Sequence, residues 1–225
     1  MIGVKLFVLK LYFRFRFGVI IQKNCKVARN VVFEGRSVVF SGTEIYESSV
    51  GYGTYFGSNC KIRKSKIGRY CSIADGVTFS LGLHPTRGFV STYPAFFRKN
   101  HPATFAHNDL AHASIDFDEH KYISIDKKYC CEVGSDVWIG ADVKVMDGVC
   151  IGDGVVIGAG SIVTKNCEPF GVYAGIPAKL IRFRFTEEER IYLSRLQWWL
   201  KEPAWLSTHS KYFGSISLLM ANVSA

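Results

Sequence analysis

From Val133 onward the chain reads VGSDVW IGADVK VMDGVC IGDGVV IGAGSI VTKNCE, with apolar residues at Val133, Ile139, Val145, Ile151, Ile157 and Val163. A second small or apolar residue follows four places on, at Val137, Val143, Val149, Val155, Ser161 and Cys167. A helix repeats every 3.6 residues and a strand every two, so a period of six is neither. It suits very short strands joined by tight corners, with glycine tolerating the turn dihedrals and the aliphatic side chain pointing into a narrow interior. Three such units close one triangular coil of about 18 residues, and stacked coils bury a continuous aliphatic column. The rhythm runs more loosely through Val27, Phe33, Val39, Ile45, Val50, Phe56, Ile62, Ile67, Ile73 and Phe79, with two units one residue short. The two tracts together predict an all-β parallel β-helix of about five coils. An ordinary sandwich of short strands does not keep a sixfold recurrence over six consecutive units.

Flanking elements follow from the same reading. The rhythm predicts a solenoid over 25–185, interrupted by an insertion over 81–128, with a cap segment over 1–24 and a C-terminal helix and tail over 186–225. In TEEERIYLSRLQWWL, Thr186 is the expected N-cap and Glu187 to Glu189 favour the first turn. Ile191, Leu193, Leu196, Trp199 and Leu200 give an apolar face, with Trp198 and Trp199 expected to pack over the end of the stack. The first twenty residues are apolar and aromatic but carry Lys5, Lys10, Arg14 and Arg16, with no small-residue cleavage site after them. They read as neither a signal peptide nor a span. The alternation from Leu11 to Phe17 suits a strand or an end cap, and the aromatic and cationic mixture also suits contact with an anionic membrane surface.

Composition narrows the function. A chain of 225 residues, 48% of them apolar, buries a sizeable core. Its net charge of +9 points to an anionic partner: a phosphorylated cofactor, an acidic glycan, a membrane or nucleic acid. No groove-reading motif or basic stripe with stacking aromatics supports nucleic acid. Seven cysteines form no CxxC pair, so they read as reduced fillers in a cytoplasmic protein, with no disulfide framework and no metal.

The segment from Val137 to Phe185, VWIGADVKVMDGVCIGDGVVIGAGSIVTKNCEPFGVYAGIPAKLIRFRF, resembles the hexapeptide-repeat acyltransferases, whose fold is a left-handed parallel β-helix. The loop HPTRGFVSTYPAFF with a later QWW resembles the xenobiotic acetyltransferase branch, which includes chloramphenicol and streptogramin O-acetyltransferases and surface-polysaccharide O-acetyltransferases. The likeness covers residues 50–200. It implies a homotrimer with acetyl coenzyme A between neighbouring β-helices and a catalytic histidine from the long loop.

His84 matches that histidine. Transfer to a hydroxyl needs a base near neutral pH, and imidazole suits the task. By the same match Ala141, Gly158, Ala159 and Gly160 line the cofactor's edge, and Lys165, Lys179 and, less directly, Arg182 reach its phosphates. The oxyanion would be met by a backbone N–H of the coil edge. A covalent thiol route needs an activated cysteine beside a base; Cys150 and Cys167 fall in the repeat's buried register and Cys130 and Cys131 lie in no such motif. Tyr93, Phe96 and Phe97 offer planar faces to an acceptor. His107 and His112, with His84, allow a three-histidine zinc site as an alternative, but the first two lie outside the sixfold register. The expected activity is acetyl transfer to a bacterial surface glycan or its precursor, in the cytoplasm or at the inner face of the membrane. An antibiotic acetyltransferase and a non-catalytic β-helix assembly module are the alternatives.

Overall fold

A computed structural model describes residues 2–98 and 117–225, with side chains from Val8 onward. Pairs of residues such as Val38–Val39, Ser72–Ile73 and Val156–Ile157 form strands that stack in parallel into three faces. The first face runs from Ile20–Ile21 to Val156–Ile157 and continues into Gly171–Gly175 and an antiparallel return, Ala178–Phe183. The second runs from Lys26–Val27 to Ile162–Val163, and the third from Val32–Phe33 to Val149–Ile151, where Cys167 bridges to Ile151. Successive coils are in register, Ile73 beside Ile139 and Ile139 beside Ile157, so like side chains stack on like. Both apolar positions of every unit from Val133 to Cys167 are buried. Each buried Val or Ile contributes roughly 1.5–3 kcal/mol of transfer energy, so the column is the main stabilising feature.

The stack has six coils rather than five and begins at Ile20 rather than at residue 25. The N-terminal segment forms helix α1 (Ile2–Phe17), not a strand. Phe13 is buried against Phe33 with ring centroids 5.1 Å apart, and Leu9 and Phe17 pack beside it, so the helix caps the column. The spacing 9, 13, 17 is helical and beats the local alternation.

Helix α2 (Glu187–Leu196) starts as expected. The Thr186 hydroxyl accepts from the Glu189 amide, and the Glu189 carboxylate accepts from the Thr186 amide. Leu193, Leu196 and Trp199 are buried, whereas Ile191 and Leu200 face outward. Helices α3 (Pro203–His209) and α4 (Ile216–Asn222) follow. Trp198 packs on Tyr70 and the Trp199 carbonyl meets Arg69, so this segment lies along the corner between the third and first faces, not over the end of the stack.

Candidate active site

The insertion leaves the stack after Thr78–Phe79 on the second face and returns at Cys131–Val133 on the third. Its root is clamped. Leu83 N–H donates to Glu119 O at 2.8 Å, Phe117 N–H to Phe97 O at 3.0 Å, and Cys130 N–H to Lys64 O at 2.6 Å. Phe97 is fully buried and its ring meets Phe89 and Phe117 edge-on, a small aromatic core of the insertion.

His84 stands on that core, exposed, its ring edge-to-face with Phe97 at 5.5 Å. Nδ1 lies 2.9 Å from the Thr92 carbonyl oxygen. A carbonyl only accepts, so Nδ1 carries the proton and Nε2 of the neutral ring is the basic nitrogen. Sequence reasoning placed Phe97 at the acceptor; burial removes it from that role and makes it the support under His84 instead. Tyr93 and Phe96 are exposed by 38% and 47%. His107 and His112 lie outside the described residues.

The glycine and alanine positions gather at one corner, between the first and second faces. Ala141, Gly158 to Gly160 and Gly175 follow one another in successive coils. The Ser161 hydroxyl donates to Gly158 O at 2.6 Å and accepts from Gly175 N–H at 3.1 Å, which fixes the edge. At Gly160, φ is +69° and an added Cβ would meet nothing within 4 Å, so a ligand can approach the backbone there. Lys179 pairs with Ala174 beside this corner and is exposed.

Other positions do not join them. Lys165 follows Ile162–Val163, at the corner between the second and third faces, the corner of the insertion. Arg182 pairs with Val172 at the far end of the hairpin and its guanidinium is bonded to Phe183 O at 3.0 Å. Within one chain, the His84 corner and the Gly158 corner are separated by the second face, one six-residue unit, or at most about 20 Å of extended chain.

The structure adds a pair that spacing did not reveal. Asp147, with no side-chain exposure, accepts from His120 Nδ1 at 2.8 Å and from Gly82 N–H at 3.3 Å. It ties both limbs of the insertion root to the next coil.

The thiols are not nucleophiles. Burial pushes Cys71, Cys131 and Cys167 up to about 12 and Cys60 and Cys130 up to about 11, far from the thiolate at neutral pH. Cys150 does not share the buried register: it points outward between Val149 and Ile151, half-buried. Its thiol is also raised by desolvation.

A stacked six-residue solenoid broken by one histidine-bearing insertion defines a class, and comparison with known proteins agrees. Residues 130–165 match the model of the bacterial transferase hexapeptide family, of six repeats. A chloramphenicol acetyltransferase from Klebsiella aerogenes is 35% identical over 140 residues, 61% of this chain and 60% of that protein. A probable macrolide acetyltransferase from Lysinibacillus sphaericus is 35% identical over 59% of this chain and 67% of its own. The chain belongs to the hexapeptide-repeat transferases. It spans about three fifths of the length of the chloramphenicol acetyltransferases that it matches. A solved hexapeptide-repeat acetyltransferase from Vibrio cholerae, complexed with acetyl coenzyme A, is 19% identical, covers 82% of this chain and 79% of its own, and superposes with a TM-score of 0.46.

Proposed function

We propose that this protein is an acetyl-coenzyme-A-dependent O-acetyltransferase with His84 as general base, acting on a hydroxyl of a bacterial surface glycan or its precursor. The observation that carries it is the His84 ring, with Nδ1 bound to the Thr92 carbonyl and Nε2 left as the acceptor. Acetyl coenzyme A would supply the acyl group as a thioester. Nε2 takes the proton from the acceptor hydroxyl as its oxygen attacks the acyl carbon, and returns that proton to the departing sulfur, so no proton is gained or lost. The open corner at Gly160 fits a pantetheine chain, and Lys179 beside it fits a phosphate.

The corresponding test is kinetic. Lys179→Ala should raise KM for acetyl coenzyme A more than it lowers kcat, because phosphate contacts are alike in ground and transition states. Unchanged KM in this variant returns Lys179 to the solvated surface. The chloramphenicol acetyltransferase relatives favour an antibiotic acceptor as a second reading. Mass spectrometry of surface glycan from cells with and without the protein, beside an acetylation assay on chloramphenicol, separates the two. A non-catalytic module would bind no coenzyme A at all.

A closed homotrimer completes this reading. The outward side chains of the first face include Ile20, Tyr55 and Trp138, exposed by 51%, 41% and 53%, whereas the second face presents Lys26, Glu44, Lys61 and Lys144. An apolar column of this kind suits coverage by another copy, and a cyclic arrangement lets one chain's His84 corner meet another's glycine corner. Light scattering should give three times the chain mass, and Trp138→Glu should shift it to monomer with loss of activity. A monomeric wild-type protein that still transfers acetyl groups rules out a shared site.

The protein would work in the cytoplasm, at the inner face of the membrane. Among the described residues no helix is long and apolar enough to cross a bilayer. Helix α1 turns Val8, Tyr12 and Phe15 to solvent on one face beside Arg14 and Arg16, and has no acidic residue, which supports peripheral contact with anionic lipid. Phe15→Glu should release the protein from phosphatidylglycerol vesicles in a flotation assay; equal flotation of both forms argues against the contact.

A further inference from the structure

The insertion root holds a cleft that the proposed chemistry does not use. Tyr46, Glu47, Arg63, Lys64, Leu81 and His120 line it, the Glu47 carboxylate being offset by Lys64 3.4 Å away, with a volume of about 330 Å³, at the lower end for small-molecule sites and enough for a sugar unit. It lies at the corner between the second and third faces, at the root of the insertion that carries His84. Gly82 N–H and His120 Nδ1 both bond Asp147, and Leu83 N–H bonds Glu119 O, so the two limbs of the insertion meet at the rim of the cleft.

Its side chains suit a polar ring carrying a negative group. His120 Nδ1 is held by Asp147, so the ring is fixed, and Nε2 makes no hydrogen bond among the described residues. In the neutral ring that nitrogen accepts, which suits a sugar hydroxyl. Arg63 lies over the Tyr46 ring, 5.8 Å from its centroid, and forms no ion pair among the described residues. Lys64 is only partly committed, 3.4 Å from the Glu47 carboxylate and 3.2 Å from the Tyr122 hydroxyl. The planar guanidinium is therefore the cation left for a carboxylate or phosphate, which it binds with two parallel N–H bonds.

We propose that this cleft is an acceptor subsite for the acidic sugar unit of a glycan, its anionic group bound by Arg63 and a ring hydroxyl by His120. The inference takes the glycan from the acetyl-transfer reading, and takes the acidic group from the cleft itself. It also gives part of the positive net charge a purpose, since the substrate would be an anion.

Saturation-transfer NMR on the full chain tests it without coenzyme A, using tri-galacturonic acid, maltotriose and UDP-galactose as probes. The acidic trisaccharide should bind at least about tenfold more tightly than maltotriose, and Arg63→Gln should remove that advantage, on the order of one charge-assisted pair. Arg63 is exposed and outside the Asp147 clamp, so this variant keeps the fold; a melting curve confirms it. His120→Asn should weaken both trisaccharides. If UDP-galactose displaces the trisaccharide and loses affinity in Arg63→Gln, the anionic subsite stands and the natural anion is a phosphate. Equal binding of neutral and acidic probes, or unchanged acidic affinity in Arg63→Gln, overturns the proposal. Coenzyme A titrations of the wild type are read separately: failure there sinks acetyl transfer, and failure of the uronate arm sinks only this subsite.

Discussion

His84→Ala should lower kcat by roughly 100- to 10,000-fold, the usual contribution of a positioned general base, equivalent to about 2.7–5.4 kcal/mol of barrier. The expected loss is confined to chemistry. His84 is exposed and belongs to neither apolar cluster of the fold, so the variant should melt with the wild type and bind coenzyme A as before. Its Nδ1 bond to Thr92 O orients the ring, so a variant that disturbs residues 91–93 should lose turnover in proportion while KM for the coenzyme holds. Near-native turnover in His84→Ala with the true acceptor moves the base elsewhere, and His120, fixed by Asp147, is then the next imidazole to remove.

The apolar column was legible because both inward positions of each six-residue unit carry Val, Ile, Phe or a small residue, and no competing period fits. The two shortened units were visible too, but their meaning was not. Ile45 to Val50 and Ile62 to Ile67 each cross the corner between the second and third faces, where Glu47 and Lys64 turn through φ of +48° and +43°. The tighter turn lies on the same corner from which the insertion later departs at Ser80, φ +55°. Helix α1 was hidden by its own composition: with apolar residues at 9, 13 and 17 inward and at 8, 12 and 15 outward, no single stripe stands out. Asp147 was hidden for another reason. In the repeat it occupies a corner, equivalent to exposed Lys165 one coil on, and it is buried only because the returning insertion covers it. Burial that depends on a nonrepeating segment leaves no periodic trace.

Glycine carries two separate meanings in this repeat, and a pair of substitutions should part them. Gly51, Gly68 and Gly134 stack at the corner between the third and first faces, and a Cβ on Gly68 would lie 2.5 Å from the Gly134 carbonyl carbon. That neighbour is backbone, and the Gly68 amide is bound to Val133 O at 2.8 Å, so neither strand yields without breaking the ladder. Overpacking costs about 1–3 kcal/mol, and Gly68→Ala should reach the upper end, lowering Tm by roughly 6–12 °C for a chain of this size. Gly160 faces open space, so an alanine there meets only the left-handed backbone penalty of about 1–2 kcal/mol and a correspondingly small fall in Tm. Its methyl group, however, projects where the pantetheine chain would approach. Gly160→Ala should therefore fold nearly as well as the wild type while losing on the order of tenfold or more in coenzyme A affinity, since a displaced amide contact and a steric gap each cost about 1 kcal/mol. Calorimetric titration beside thermal melting reads both quantities. A Gly160→Ala protein with unchanged affinity removes this corner from the cofactor site, and a Gly68→Ala protein that melts with the wild type shows that the stacked corners have room to move.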